Sequence, residues 1–367
     1  MQSIFDTVDR WATEKHRIAV ATVVRTWGSS PQGVGARMAI RDSGEFVGSV
    51  SGGCVEGAVI EEALKVIQSN RPSLLHFGVA DETAWDVGLA CGGEIDVYIE
   101  PVDDDRIGVY HEMKVNFDRQ RAFILAQVIR GSENAIGQYL FLAEGYEPTS
   151  RMDQPLLDRV FDQAASLFEE GVSLSKEFHL DDKTIEIFFT YQGPGPKLII
   201  VGAVHISISL VDMAKALGYK VFVVDPRSAF STEERFPEVD GLVRKWPDQA
   251  LLEIGLDRST AVAVLTHDPK LDDPALQVAL PSDAFYIGAL GSRTTQKKRY
   301  QRLLERGITE EHLARLRGPI GLNLGGRKPE EIALSIMAEI ATVQQVPVHF
   351  STLNSPVLKF ILSTFEL

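Results

Sequence analysis

Lys197-Leu198-Ile199-Ile200-Val201-Gly202-Ala203-Val204-His205-Ile206-Ser207 decides the fold of the second half of this chain. A buried-type strand over 197–201 runs into a glycine turn. A helical pattern follows over 206–217 and stops at Gly218, and a second strand over 220–224 ends in Asp225. Further strand patterns at 261–265 and 284–287 alternate with helical ones near 274–280, 295–305 and 329–341. Alternation of this kind predicts a parallel, doubly wound sheet, so this half reads as an α/β domain.

The turn itself resembles a damaged dinucleotide fingerprint. In Gly-x-Gly-x-x-Gly turns a pyrophosphate rests on bare backbone at a helix N-terminus, and an acid at the next strand end holds a ribose hydroxyl. Gly202 and Asp225 fit, and Ser207 is small enough for the third position. Val204 stands where the second glycine should be. The pattern therefore predicts a Rossmann-like sheet and weakens NAD(P) binding; a different anion, or association alone, fits as well. Two more glycine loops belong to the same sheet edge: 288–295, with Gly291, Ser292 and Arg293, and 325–329, with Arg327. Arg293 and Arg327 read as ligand contacts, Lys298 and Arg302 as a solvated basic face. His205 and His267 follow strand ends, where capping or packing competes with a ligand role.

Outward from this domain, Gln192-Gly193-Pro194-Gly195-Pro196 can continue neither helix nor ladder. It separates an N-terminal mixed α/β domain, 1–192, from the Rossmann-like domain, 196–345, with 346–367 as a C-terminal extension. The first hundred residues read as strands at 18–24, 37–40, 46–50 and 95–99 around one helix, 55–67, opening at Cys54. Residues 102–120 read as an exposed connection. The middle region offers strands at 123–129, 138–142 and 185–191 and a helix near 156–168, and no internal repeat is visible.

The 367 residues are 44% hydrophobic and 24% charged, enough for a substantial core without staples. The formal net charge of −14 belongs to residues 1–195, while 196–367 sum to zero. An acidic first half repels a phosphate backbone, so nucleic acid is not an expected partner. No apolar run reaches membrane-span length and no basic leader opens the chain, which predicts a soluble, cytoplasmic protein with no membrane partner. Two cysteines make neither a disulfide framework nor a four-ligand zinc site.

Those cysteines stand in Ser51-Gly52-Gly53-Cys54 and Cys91-Gly92-Gly93. Either thiol alone would read as a buried apolar residue. Two, each beside a glycine pair and one at a helix opening, point to soft-ligand or sulfur chemistry, with Cys54 and Cys91 as metal-ligating candidates. Both should lie at one site. The loop over 28–38, with Ser29 and Ser30, could donate to an anionic or heterocyclic ligand.

Residues 28–38, 51–57, 88–93, 202–207 and 288–295 together resemble the XdhC/CoxI family of molybdoenzyme accessory proteins. The family usually has Gly-Ala-Gly-His where this chain has Gly202-Ala203-Val204-His205. The resemblance implies a chaperone rather than a catalyst: it binds molybdenum cofactor (molybdopterin) transiently, shields it while a cysteine desulfurase supplies sulfur for oxo-to-sulfido exchange, and passes it to xanthine dehydrogenase or a related molybdenum hydroxylase. The residues assigned to the cofactor are Ser29, Ser30, Gly52, Gly53, Cys54, Cys91, Gly92, Gly93, Gly202, His205, Asp225, Gly291, Ser292 and Arg293. A homodimer is one assembly option. The rival readings are an NAD(P)-dependent oxidoreductase and a thiol redox protein.

Overall fold

The computed structural model describes residues 2–28, 30, 32–53, 55–78, 93–180 and 183–344, which part into two units at the Pro194–Gly195 junction.

The first unit opens with α1 (Gln2–Thr13), β1 (Ile18–Trp27), β2 (Arg37–Arg41), β3 (Phe46–Gly48), α2 (Glu56–Ser69), β4 (Ser73–Phe77) and β5 (Glu94–Pro101). It continues with α3 (Asp104–Asp118), β6 (Phe123–Arg130), β7 (Tyr139–Ala143), β8 (Thr149–Ser150), α4 (Gln154–Glu170), β9 (Leu174–Leu180) and β10 (Lys183–Gln192). The two series are the same series. Each makes an antiparallel five-stranded sheet, ordered β3-β2-β1-β5-β4 and β8-β7-β6-β10-β9.

The duplication extends to single residues. In β1 the register against β5 slips between Val23 and Arg25, and in β10 the register against β6 slips between Glu186 and Ile187, opposite Arg130 and Val128. Val24 and Ile129 are therefore the bulged residues at matching places, Arg25 opposite Asp96 matches Arg130 opposite Glu186, and Tyr98 matches Phe188. Val24, Tyr98, Ile129 and Phe188 pack together as one small apolar cluster between the sheets. Arg25 reaches both Asp96, at 3.5 Å, and Glu186. A repeat is thus present where none was expected, because matched positions share burial and pairing rather than identity.

Each sheet buries its outer face under its own second helix. Val59, Ala63 and Val66 of α2 cover Ala21, Ile40 and Val97, and Val160, Ala164 and Leu167 of α4 cover Ala126, Leu140 and Ile187. Between them α1 and α3 add Phe5, Trp11, Val109 and Met113 to the core. Residues 102–120 are therefore a packed helix rather than an exposed connection. Asp103 caps it, accepting from the Arg106 N–H at 3.0 Å, and Arg106 is itself buried against Glu100, with Nε 3.0 Å from Oε2.

The second unit alternates as expected: β11 (Lys197–Val201), α5 (His205–Ala216), β12 (Lys220–Val224), β13 (Gly241–Val243), α6 (Pro247–Ile254), β14 (Thr260–Val264), α7 (Pro269–Ala279), β15 (Tyr286–Ala289), α8 (Arg293–Glu305), α9 (Glu310–Ala314), β16 (Leu316–Arg317) and α10 (Pro329–Gln344). Its sheet is parallel and ordered β13-β12-β11-β14-β15-β16, the strand order of dinucleotide-binding folds. The central strands β11 and β14 are buried on both faces, as β-branched runs require. α5 and α10 cover one face, α6 and α7 the other.

Candidate functional site

Antiparallel pairing fixes where the loops of the first sheet emerge. Trp27 pairs with Glu94, Thr22 with Arg37, Met38 with Gly48 and Phe77 with Ile95, so β1, β3 and β4 end, and β2 and β5 begin, at one edge. The three segments that carry the Ser29, Cys54 and Cys91 positions all leave from that edge. Ser29, Cys54, Cys91 and Gly92 themselves lie outside the described residues. Ser30 is described and donates to the Gln32 carbonyl at 2.7 Å, and Gly93 is buried.

Residues 49–53 are wrapped around one carboxylate. Glu56 Oε1 accepts from the Ser49 hydroxyl at 2.7 Å and from the N–H groups of Ser51 and Gly52 at 2.9 and 3.0 Å. Oε2 accepts from the Ser51 hydroxyl at 2.6 Å and the Gly53 N–H at 2.8 Å. Burial alone would raise this carboxyl, but the Ser51 and Ser49 hydroxyls and the Ser51 N–H hold it down at about 2. The backbone donors of Gly52 and Gly53, two residues assigned to the cofactor, are thus committed to Glu56. What the two glycines leave to a visitor is open surface: Gly53, at φ +124°, has nothing within 4 Å of where a Cβ would stand. The helix begins at Glu56, two residues later than the sequence suggests.

In the second unit the strand order reverses between β11 and β14, and the crevice there is where open α/β sheets take ligands. Gly202, at φ +113°, lines it so closely that a Cβ would stand 2.7 Å from Thr266 Cγ2. Ser207 is buried and donates to the Gly202 carbonyl at 2.6 Å. His205 is the exposed first residue of α5, with Val204 half-buried before it. Ser292 caps α8, its hydroxyl accepting from the Thr295 N–H at 3.2 Å, and Arg293 follows, exposed, after Gly291.

Asp225 is a correction. Expected to hold a ligand, it is wholly buried and takes four hydrogen bonds, from the N–H groups of Ala203 and Arg227 and from Nε and Nη2 of Arg227. Burial pushes its carboxyl up, and the Arg227 guanidinium and the Ala203 N–H more than offset this, leaving it below the ordinary aspartate range. Sequence reading missed Arg227, although Asp225-Pro226-Arg227 carries the signal. The basic face of α8 is a second correction: Arg302 forks onto buried Asp273 at 2.7 and 2.9 Å, and Arg299 is buried with Nη2 2.7 Å from Asp272. His267 is held in the left-handed region, at φ 62°. Among the described residues no group of three or more His, Cys, Asp or Glu could hold a metal ion.

Comparison with known proteins follows both units. Residues 198–340 match the family model described as the XdhC Rossmann domain, and residues 11–78 match the XdhC and CoxI family. A probable xanthine dehydrogenase subunit of Bacillus subtilis (strain 168) is 29% identical over 342 residues, 93% of this chain and 97% of the relative. "Molybdenum cofactor insertion chaperone PaoD" of Escherichia coli (strain K12) is 28% identical over 326 residues, 89% of this chain and 83% of the relative. A crystal structure described as a xanthine dehydrogenase from Bacillus halodurans shares the fold, with a TM-score of 0.75 at 24% identity over 95% of this chain and 97% of that one. With family models on residues 11–78 and 198–340, together more than half of its length, the chain belongs to the XdhC and CoxI family.

Proposed function

We propose that this chain is an accessory factor that binds molybdenum cofactor as cargo, supports exchange of its terminal oxo ligand for sulfido, and delivers it to xanthine dehydrogenase or a related molybdenum hydroxylase. The observation that carries the reading is the similarity to PaoD, which runs through 89% of this chain rather than through one domain. Two features of the molecule support it. The strands flanking the segments that bear Ser29, Ser30, Cys54 and Cys91 end or begin at one sheet edge, where Gly53 leaves open surface, and thiols are the donors a soft metal calls for. Asp225 is engaged by Arg227, so it is not free to accept from the ribose of NAD(H) as a dinucleotide-dependent oxidoreductase would need.

In this reading the thiol edge belongs to the domain at 1–192. The Rossmann domain at 196–345 carries its own candidate anion site in Gly202, His205, Gly291, Ser292 and Arg293. A cysteine desulfurase is the sulfur source, and the setting is cytoplasmic; among the described residues no helix is long and apolar enough to cross a membrane. The test is to purify the chain from cells with cofactor synthesis intact and assay molybdenum and oxidised pterin. Both should co-purify. Tight NAD(P) binding with neither present would favour the oxidoreductase reading.

A further inference from the structure

The edge of the first sheet at Trp27 and Glu94 has an open face opposite α2, and the internal duplication provides a built-in control for reading it. Two cross-strand rows lie there. In one, Arg25 pairs with Asp96 and Asp96 with His76. In the next, Trp27 pairs with Glu94, and Gly78 follows β4 alongside. Residues directly opposite each other in an antiparallel ladder present their side chains on one face.

The first row is framework. Arg25 and Asp96 recur in the other sheet as Arg130 and Glu186, and the four side chains form one ion network, with Arg130 Nε 3.7 Å from Glu186 Oε2. Three groups are not repeated. By the same registers Trp27 corresponds to Ser132, Glu94 to Thr184, and His76, opposite Asp96, to Glu177, opposite Glu186. The half with these three groups is the half with the Ser-rich and thiol-bearing loops.

All three are presented for recognition. Trp27 is 70% exposed at the end of a rigid strand. The Glu94 carboxylate has no partner among the described residues. His76 is fixed through Nδ1, 2.6 Å from Asp96 Oδ1, which leaves Nε2 turned to the row of Trp27 and Glu94. Gly78 keeps the floor open, since a Cβ there would stand 3.2 Å from His76 Nε2 and 3.4 Å from Glu94 Cγ. An aromatic plane beside a carboxylate and an oriented imidazole suits a flat heterocycle whose edge carries adjacent N–H donors.

We propose that Trp27, Glu94 and His76 form a platform for the pterin ring of the cargo, with Trp27 stacking on the ring and Glu94 accepting from its 2-amino and N3–H groups. The assignment rests on the molybdenum cofactor reading and adds to it a place and a chemistry of recognition.

The experiment uses the full chain, purified free of cofactor, with pterin (2-amino-4-oxopteridine) and lumazine (2,4-dioxopteridine) as probes in equilibrium dialysis. Wild type should prefer pterin. Trp27→Ala should weaken binding of both by about tenfold or more, as loss of base-on-aromatic stacking does, and Trp27→Phe should restore most of it. Glu94→Gln should erase the preference for pterin over lumazine at unchanged melting temperature, a readout that a purely structural role would not move. The platform is overturned if wild type binds neither probe, if Trp27→Ala binds as wild type, or if Glu94→Gln keeps the preference. Molybdenum content separates the two levels. Equal molybdenum in wild type and Trp27→Ala from cofactor-competent cells sinks the platform alone, while none in wild type sinks the functional reading beneath it.

Discussion

Arg227 grips both oxygens of Asp225, with Nε 2.9 Å from Oδ1 and Nη2 2.7 Å from Oδ2, at the strand end where a dinucleotide-binding sheet presents a free acid to ribose. Val204, half-buried and packed against the hydrophobic core, stands at the N-cap of α5 where the fingerprint has its second glycine, so the pattern departs from that of NAD(H) binding at two points. NADH should therefore bind with Kd above about 0.1 mM, roughly 5 kcal/mol of binding or less, by calorimetry. Val204→Gly alone should not restore tight binding, because Asp225 remains engaged. Sub-micromolar affinity in either protein would show that Arg227 releases the acid.

Gly202→Ala should destabilise the second unit by about 1–3 kcal/mol, since the added methyl meets Thr266 Cγ2 and the backbone is at positive φ. Urea denaturation measures it. Adding Thr266→Ser, which removes the clashing methyl, should recover part of the loss, and a fully additive double mutant would mean that the two residues do not meet.

Glu56→Gln should cost about 2 kcal/mol at pH 7, because charge-assisted hydrogen bonds from Ser49, Ser51, Gly52 and Gly53 lose their anion. The sign of the pH dependence follows from a carboxyl lowered in the fold to about 2. Its contribution is complete above the unfolded value of about 4.3 and is lost as pH falls from there through about 2. Chemical denaturation from pH 7 to pH 3 should show wild type and variant converging in acid; a gap that stays constant would mean that Glu56 acts through shape alone.

Much of the second unit is legible in the sequence because strands and helices there alternate with separate periods, and the turn at Gly202 marks the switch. The first unit is harder. In α3 the buried face includes Arg106 and Asn116 along with Val109, Tyr110 and Met113, so polarity hides the helix, and the exposed Asp103-Asp104-Asp105 reads as a connection when it is a cap and first turn. In α1 the helical spacing of buried Phe5, Val8 and Trp11 is the signal that marks the element. The duplication leaves only scattered identities, such as Arg25 with Arg130, beside unlike pairs such as Trp27 with Ser132, because pairing and burial fix a strand position's environment rather than its residue type. At the site, the types Ser, Gly and Cys are legible. What Glu56 and Arg227 do to their neighbours is not, since both depend on backbone and side-chain geometry within a few residues.

Arg299→Met should destabilise the second unit by about 3 kcal/mol or more, because it strands Asp272, itself only 1% exposed, without its guanidinium partner. Burial already pushes the Asp272 carboxyl up. The variant should therefore lose less stability at pH 5 than at pH 8, where protonation no longer relieves the stranded charge, and thermal melts at the two pH values provide the comparison. Equal losses would mean that Asp272 finds another partner.

The most direct test of the central claim is transfer: incubate the cofactor-loaded chain with a molybdenum hydroxylase apoenzyme and follow the activity that appears. Wild type should activate the apoenzyme, and Cys54→Ala, at unchanged melting temperature, should fall well short of it, with Cys91→Ala less impaired. An apoenzyme that gains no activity from the loaded wild-type chain would contradict the account.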